Sequence, residues 1–356
     1  MNGLTGSVAY VGAQGRNLFL RSVANRTIGV GLLNGTPTQI REFDVVTRKA
    51  DGTLASIQRP YAEIDYKTSG GHDSYNSMQL SLTRRSLHGL VLNGQYTLGY
   101  SQGNTGGSNE AVTAGNNART MAEFDYDDGY NNFDVRHTFN ASVLYTVPGQ
   151  GAWAGGWEIG GIFNGRSGLP IPVLITRPDI VFVDAAGNVF NNAAAGLTPV
   201  INVPGGGASR STRRPDLVPG VDPFIKDGGL LFLNPAAFTT PKPGTNGNLE
   251  RWSIHGPNFY QVDAVVAKRV GPSRGPSGEL RLEVFNIFNT TNFAGIVGTL
   301  PNALPSNTLT EANKVQPGQP YTAGAAGTFG RATSTVGTTV GIGTNRQIQL
   351  AFRLNF

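Results

Sequence analysis

The last eleven residues alternate without a break. Ile348, Leu350, Phe352, Leu354 and Phe356 fall on even positions, while Gln347, Gln349, Ala351, Arg353 and Asn355 fall on odd ones. A period of two marks a β-strand whose faces meet different surroundings. Residues 133–147 repeat the pattern, with Phe133, Val135, Phe139, Ala141, Val143, Tyr145 and Val147 opposite Asp134, Arg136, Thr138, Asn140, Ser142 and Thr146. Met78, Leu80 and Leu82 form one such face, and Leu90, Leu92, Tyr96, Leu98 and Tyr100 another. Only "SLHG" separates these two segments, which predicts a hairpin. Further alternating runs begin near Trp157, Tyr260 and Leu280.

The connections divide into two kinds. Short turns are predicted at 86–89, 148–155 and 271–278, and long loops at 101–131, 168–257 and 289–345. Short turns on one rim and long loops on the other are the arrangement of an outer-membrane barrel, with periplasmic turns, extracellular loops and aromatic residues near strand ends. The predicted fold is therefore all-β: an antiparallel transmembrane β-barrel, here about nine or ten strands of a larger one. Parity sends the final strand towards the periplasmic rim, where Phe356 ends. Parity also puts residues 12–56 on the periplasmic side, although "RTIGVGLL" and "IREFDVV" read as two short extra strands.

Composition agrees with strands rather than helices. The chain has 356 residues, with 49 glycines and 21 prolines against only 14% charged residues, a balance poor in long helices. It lacks cysteine, which excludes disulfides, thiolate metal sites and a cysteine nucleophile. No run approaches a helical membrane span, and no secretory leader is visible in "MNGLTGSVAY". The net charge of +5 is spread thinly, so nucleic acid is not an expected partner.

Candidate chemistry is sparse. His72, His88, His137 and His255 have no metal-ligand spacing. Asp125, Asp127, Asp128 and Asp134 gather in and next to one long loop but miss the calcium-loop pattern, because Gly129 falls on a ligand position. No phosphate-binding loop or serine elbow is present, so neither enzyme activity nor a cofactor is expected. Arg210, Arg213 and Arg214 form the one basic cluster; on an outer loop they are candidates for contact with lipopolysaccharide or an acidic ligand. Asp134, Arg136, Asp263, Arg269, Arg281 and Glu283 lie on polar strand faces and are expected to be paired inside the barrel.

Seven segments carry a more specific likeness: "SVAYVGAQGRNLFL" (7–20), "SYNSMQLSLTRR" (74–85), "NGQYTLGYS" (93–101), "FDVRHTFNASVLYTVP" (133–148), "GRSGLPIPV" (165–173), "LRLEVFNIFNTTNF" (280–293) and "RQIQLAFRLNF" (346–356). Together they resemble the C-terminal barrel half of TonB-dependent outer-membrane transporters, specifically the Oar-like group with a carboxypeptidase-regulatory-like N-terminal domain. The resemblance spans almost all of residues 1–356. It implies ligand uptake or export across the bacterial outer membrane, together with an N-terminal half whose TonB-contacting box and plug are not recognisable here. The expected partners are outer-membrane lipid and lipopolysaccharide, TonB through that N-terminal region, and the barrel-assembly machinery through the final strand. In that strand Ile348, Leu350, Phe352, Leu354 and Phe356 are the lipid-facing stripe and assembly signal. Two other expectations stand beside it: a complete small barrel acting as a pore or adhesin, and a soluble all-β module that binds or processes carbohydrate.

Overall fold

The computed structural model describes residues 3–356 except 63, 106–123, 206–211, 228, 272–275 and 338–341. Eight long antiparallel strands form one sheet in chain order: β1 (Leu4–Ala24), β2 (Ile64–Leu87), β3 (Leu90–Gly103), β4 (His137–Thr146), β5 (Trp157–Arg166), β6 (Phe259–Val270), β7 (Ser277–Phe285) and β8 (Gln347–Asn355). A two-residue strand, Gly129–Tyr130, adds to β3. Pairing stops at β1 and β8, and among the described residues these two edges do not meet.

The register carries one apolar face across the whole sheet. Leu350 pairs with Leu282, Leu282 with Val266, Val266 with Ile159, and Ile159 with Tyr145. A parallel row runs through Val8, Leu80, Tyr96, Phe139 and Gly165 to Tyr260. Most large side chains on this face are exposed, from Val8 and Tyr10 on β1 to Leu354 on β8. The opposite face carries Gln79, Gln95, Asn140, Asn164, Asp263, Glu283 and Gln349 at facing positions. Among the described residues an ion pair lies on it, from Arg281 Nε to Glu283 at 2.9 Å.

The short connections are 88–89, 147–156 and 271–276. In the first, His88 and Gly89 have φ of 53° and 81°, so both central residues are left-handed, as the twist of a tight hairpin requires. A side chain at Gly89 would collide with the Thr146 carbonyl. In the second, the Lys268 ammonium lies 4.9 Å from the Trp157 ring centre and donates to the Trp153 carbonyl. Lys268 stands in the apolar row, so its amine reaches the rim while its stem lies along the apolar face.

Residues 12–56 depart from the parity argument. β1 begins beside the short-turn rim, where Leu4 pairs with Arg84, and continues through 21 residues to Ala24 opposite Ile64. The chain from 25 to 63 therefore lies at the long-loop end. It folds there into a four-stranded sheet of 36–41, 27–33, 54–58 and 45–48, rather than two extra strands at the opposite rim. A bulge hides this continuity in the sequence pattern. Pairing shifts between Arg16 and Phe19, with Asn17 left-handed at φ 53°, and an added residue exchanges the two faces of a strand. Tyr10 is exposed on an even position, whereas beyond the bulge Phe19 is exposed and Leu20 buried.

Two of the long connections, in their described residues, are folded rather than solvated. Segments 167–258 and 286–346 share a buried cluster that includes Ile171, Ile175, Leu233, Phe238, Leu300, Tyr321 and Phe329. A smaller cluster joins Val181, Val189 and Leu304. This cap also holds the 27–58 sheet, through Gln39 Nε2 donating to Asp179 at 2.9 Å and a bridge from Thr27 to Gly205. Phe238 and Phe329 meet edge to face at 5.3 Å, and both are buried. Phe329→Ala is expected to cost the cap about 3–5 kcal/mol. Limited proteolysis should then open the 286–346 segment while the strand signal in circular dichroism is kept.

Candidate functional site at the junction of wall and cap

Three of the segments singled out in the sequence meet at the long-loop rim. The first, 280–293, ends in a tight turn built by asparagines. Asn286 and Asn289 have φ of 50° and 52°, a left-handed conformation that asparagine tolerates better than bulky residues. Asn286 is fully buried, donates to the Thr344 carbonyl at 2.8 Å and the Thr290 carbonyl at 2.9 Å, and accepts from the Thr290 amide. Its own amide donates to Asp263 at 2.8 Å. Asn292 accepts from the Tyr260 amide and donates to the Tyr260 carbonyl. One side chain thus satisfies both backbone groups of a β6 residue above the last β7 rung. Gln261 completes the join by accepting from the Gly343 amide at 2.6 Å.

The second segment supplies Asp134 and Arg136, which lie before β4 rather than within it. Asp134 is 1% exposed and accepts from the Ser101 amide at 2.6 Å. Its other oxygen lies 3.6 Å from Arg136 and 3.5 Å from His255. The Arg136 guanidinium sits 4.2 Å from the Tyr100 ring centre, and Tyr130 packs edge-on against His255. This carboxylate ties a loop on one side of the sheet to the top of β3 and the end of the 167–258 segment. The third segment, 165–173, continues the β5–β6 hairpin into the cap: the Ile171 amide donates to Ile254 and the Gly256 amide to Leu169, at 2.7 and 2.8 Å. It also lines a cavity with Arg166.

Arginines dominate the cap's buried polar groups. Arg213 and Arg214 are 2% and 3% exposed, so they do not project from a solvated loop towards lipopolysaccharide; Arg210 lies outside the described residues. Arg214 pairs with Asp127 at 2.8 Å, donates to the Tyr126 carbonyl and stacks 3.8 Å over the Tyr126 ring centre. Arg177 donates to the carbonyls of Asn202, Thr245, Pro241 and Lys242, and to the Asn202 side chain. Arg251 donates to the Gly103 carbonyl. Burial lowers both Arg177 and Arg251 to about 10, which leaves them cationic at neutral pH. The sequence signal for Arg214 was its charge; its partner Asp127 lies 87 residues away and has no local cue.

The acidic loop spreads its carboxylates among separate partners. Asp127 faces Arg214, Asp128 lies 2.9 Å from His72, and Asp134 holds Ser101. Burial raises the Asp128 carboxyl against the opposing pull of His72. Among the described residues no group of three histidines or carboxylates could hold a metal ion. His88 serves the turn, and His137 Nδ1 lies 2.7 Å from the Tyr96 hydroxyl. Ile348, Leu350, Phe352, Leu354 and Phe356 are exposed by 66, 71, 67, 56 and 96% along the free edge strand.

A family model described as an outer membrane beta barrel domain matches residues 1–349. The chain belongs to the outer membrane β-barrel domain family. Its location is the bacterial outer membrane, and the sheet with its single apolar face is barrel wall. No curated protein and no solved structure matches this barrel domain. Within it, Arg214→Met is expected to strand the buried Asp127 carboxylate and destabilise the cap by about 3–5 kcal/mol. Asp127→Asn in the same chain should restore most of that loss, as read by urea-dependent protection of 213–251 from proteolysis.

Proposed function

We propose that this barrel domain is part of the wall and outer cap of a TonB-dependent receptor of the Oar-like group, which carries a ligand across the outer membrane. The carrying observation is the pair of edges left unmatched among the described residues, a 21-residue β1 and a 9-residue β8. Unpaired backbone groups are not tolerated in hydrocarbon, and plugged transporters close their circle with 22 strands. Further strands from an N-terminal half are the natural partners for these edges. The folded cap supports the same role, because it presents fixed surfaces at the rim where a receptor meets its ligand. In this arrangement the 88–89, 147–156 and 271–276 turns are periplasmic and the cap is extracellular. Ile348, Leu350, Phe352 and Leu354 meet lipid, and Phe356 ends the strand that the assembly machinery reads. TonB acts through the N-terminal half, and the role is transport rather than catalysis.

The test is heat-modifiability on a cold detergent gel, comparing this chain with one extended upstream through a plug. Only the extended chain should run as a compact band that shifts on boiling. If residues 1–356 alone give that band, the wall closes by itself, and a small pore or adhesin replaces the transporter.

A further inference from the structure

Above the last β5–β6 rung, Arg166 opposite Phe259, the two chains stay close enough that a side chain at Gly168 would collide with the Gly256 carbonyl. This neck and the 293–296 strand line a half-open cavity of about 230 Å³. Its wall is apolar, with Ile171, Pro257, Phe259, Phe293 and Ile296 among the lining residues, together with Leu169 and Val336, which are 43% and 38% exposed. Among the described residues, Arg166 is the single charged one of that lining.

Arg166 differs from the arginines of the cap. Arg214 has a carboxylate, and Arg177 donates to four backbone carbonyls and one side chain. Arg166, half-buried, donates one long bond of 3.4 Å to the adjacent Ser167 carbonyl, and its guanidinium stands 5.6 Å from the Phe259 ring centre. No carboxylate among the described residues pairs with it. A guanidinium offers five donors in a planar fork suited to a carboxylate or phosphate, and its partial burial is costly without an acceptor. The apolar walls ask for a hydrophobic body beneath that anionic head, the mixture typical of small-molecule sites.

We infer that the cavity beneath Leu169 is a binding site for a small amphiphilic anion, with its acid group on Arg166 and its apolar body between Phe259, Phe293 and Ile296. Arg166 and Phe259 occupy polar-face positions of the sheet, away from the apolar face. A water-borne acid therefore fits better than a membrane lipid. Binding here needs only the β5–β6 junction and the cap, and is independent of TonB coupling or barrel completion.

The test uses whichever form of the chain, alone or extended upstream, gives the compact heat-modifiable band in an uncharged detergent. Fluorine NMR follows 3-(4-fluorophenyl)propionate and its neutral amide, with protein-free micelles as blank. The carboxylate should bind about tenfold more tightly than the amide, the ratio for one modest charge-assisted pair. Arg166→Gln should abolish that preference. Leu169→Glu, at an exposed position of the lining, should weaken the carboxylate more than the amide. Equal affinities, no binding of either probe, or a preference that survives Arg166→Gln would each overturn the site. Should Arg166→Gln fail to fold, Leu169→Glu decides, and unchanged carboxylate binding refutes the inference. Displacement of the probe by short-chain phosphatidic acid but by no soluble acid would also overturn it, in favour of a lipid source.

Discussion

A strand that crosses hydrocarbon has no water to satisfy its peptide groups, so each amide and carbonyl must find a neighbouring strand. That one constraint organises the wall. It demands long ladders, such as the 20 residue pairs that join β1 to β2 from Leu4↔Arg84 to Ala24↔Ile64. It also frees the side chains of any one face from needing a protein core. The wall accordingly leaves Val8, Ile159, Leu280 and Leu350 exposed, whereas a water-facing sheet of this size would bury such a face.

The cap obeys a different physics. Its segments leave the wall and must supply their own core, which they do by bringing Ile171, Phe238, Leu300 and Phe329 together from far-apart points of the chain. Buried arginines then organise the polar backbone, with Arg177 gathering carbonyls from Asn202, Pro241, Lys242 and Thr245. Wall and cap are joined where backbone pairing runs out. Asn292 stands in for a missing strand at Tyr260, and Asp134 holds the amide of Ser101. The cavity under Leu169 sits at the same boundary.

What was legible in the sequence follows this division. The wall was readable wherever the period of two ran unbroken, as in 347–356 and 137–146, and where a two-residue turn such as His88–Gly89 set the register. The segments 133–148, 165–173 and 280–293 stood out in the sequence only for their family likeness; the structure brings them to the rim, where their residues serve turns and joins more than strand faces. Residues 12–56 were misplaced because the bulge at Asn17 breaks the alternation, and a hidden bulge changes both the length and the phase of a strand. The cap core was illegible because Phe238, Leu300 and Phe329 stand in runs too short for any period. Arg213 and Arg214 looked solvated because charge near glycine normally is, and only tertiary contact reveals their burial.

The apolar face of the wall is the central claim, and the absence of cysteine makes it directly measurable. Single variants Leu350→Cys, Leu282→Cys and Gln349→Cys, each carrying an environment-sensitive fluorophore, should be compared in the folded protein within vesicles of ordinary and brominated lipid. Strong quenching at 350 and 282 with little at 349 is the predicted result. Equal quenching at all three positions, or stronger quenching at 349, would contradict a wall with one face against lipid.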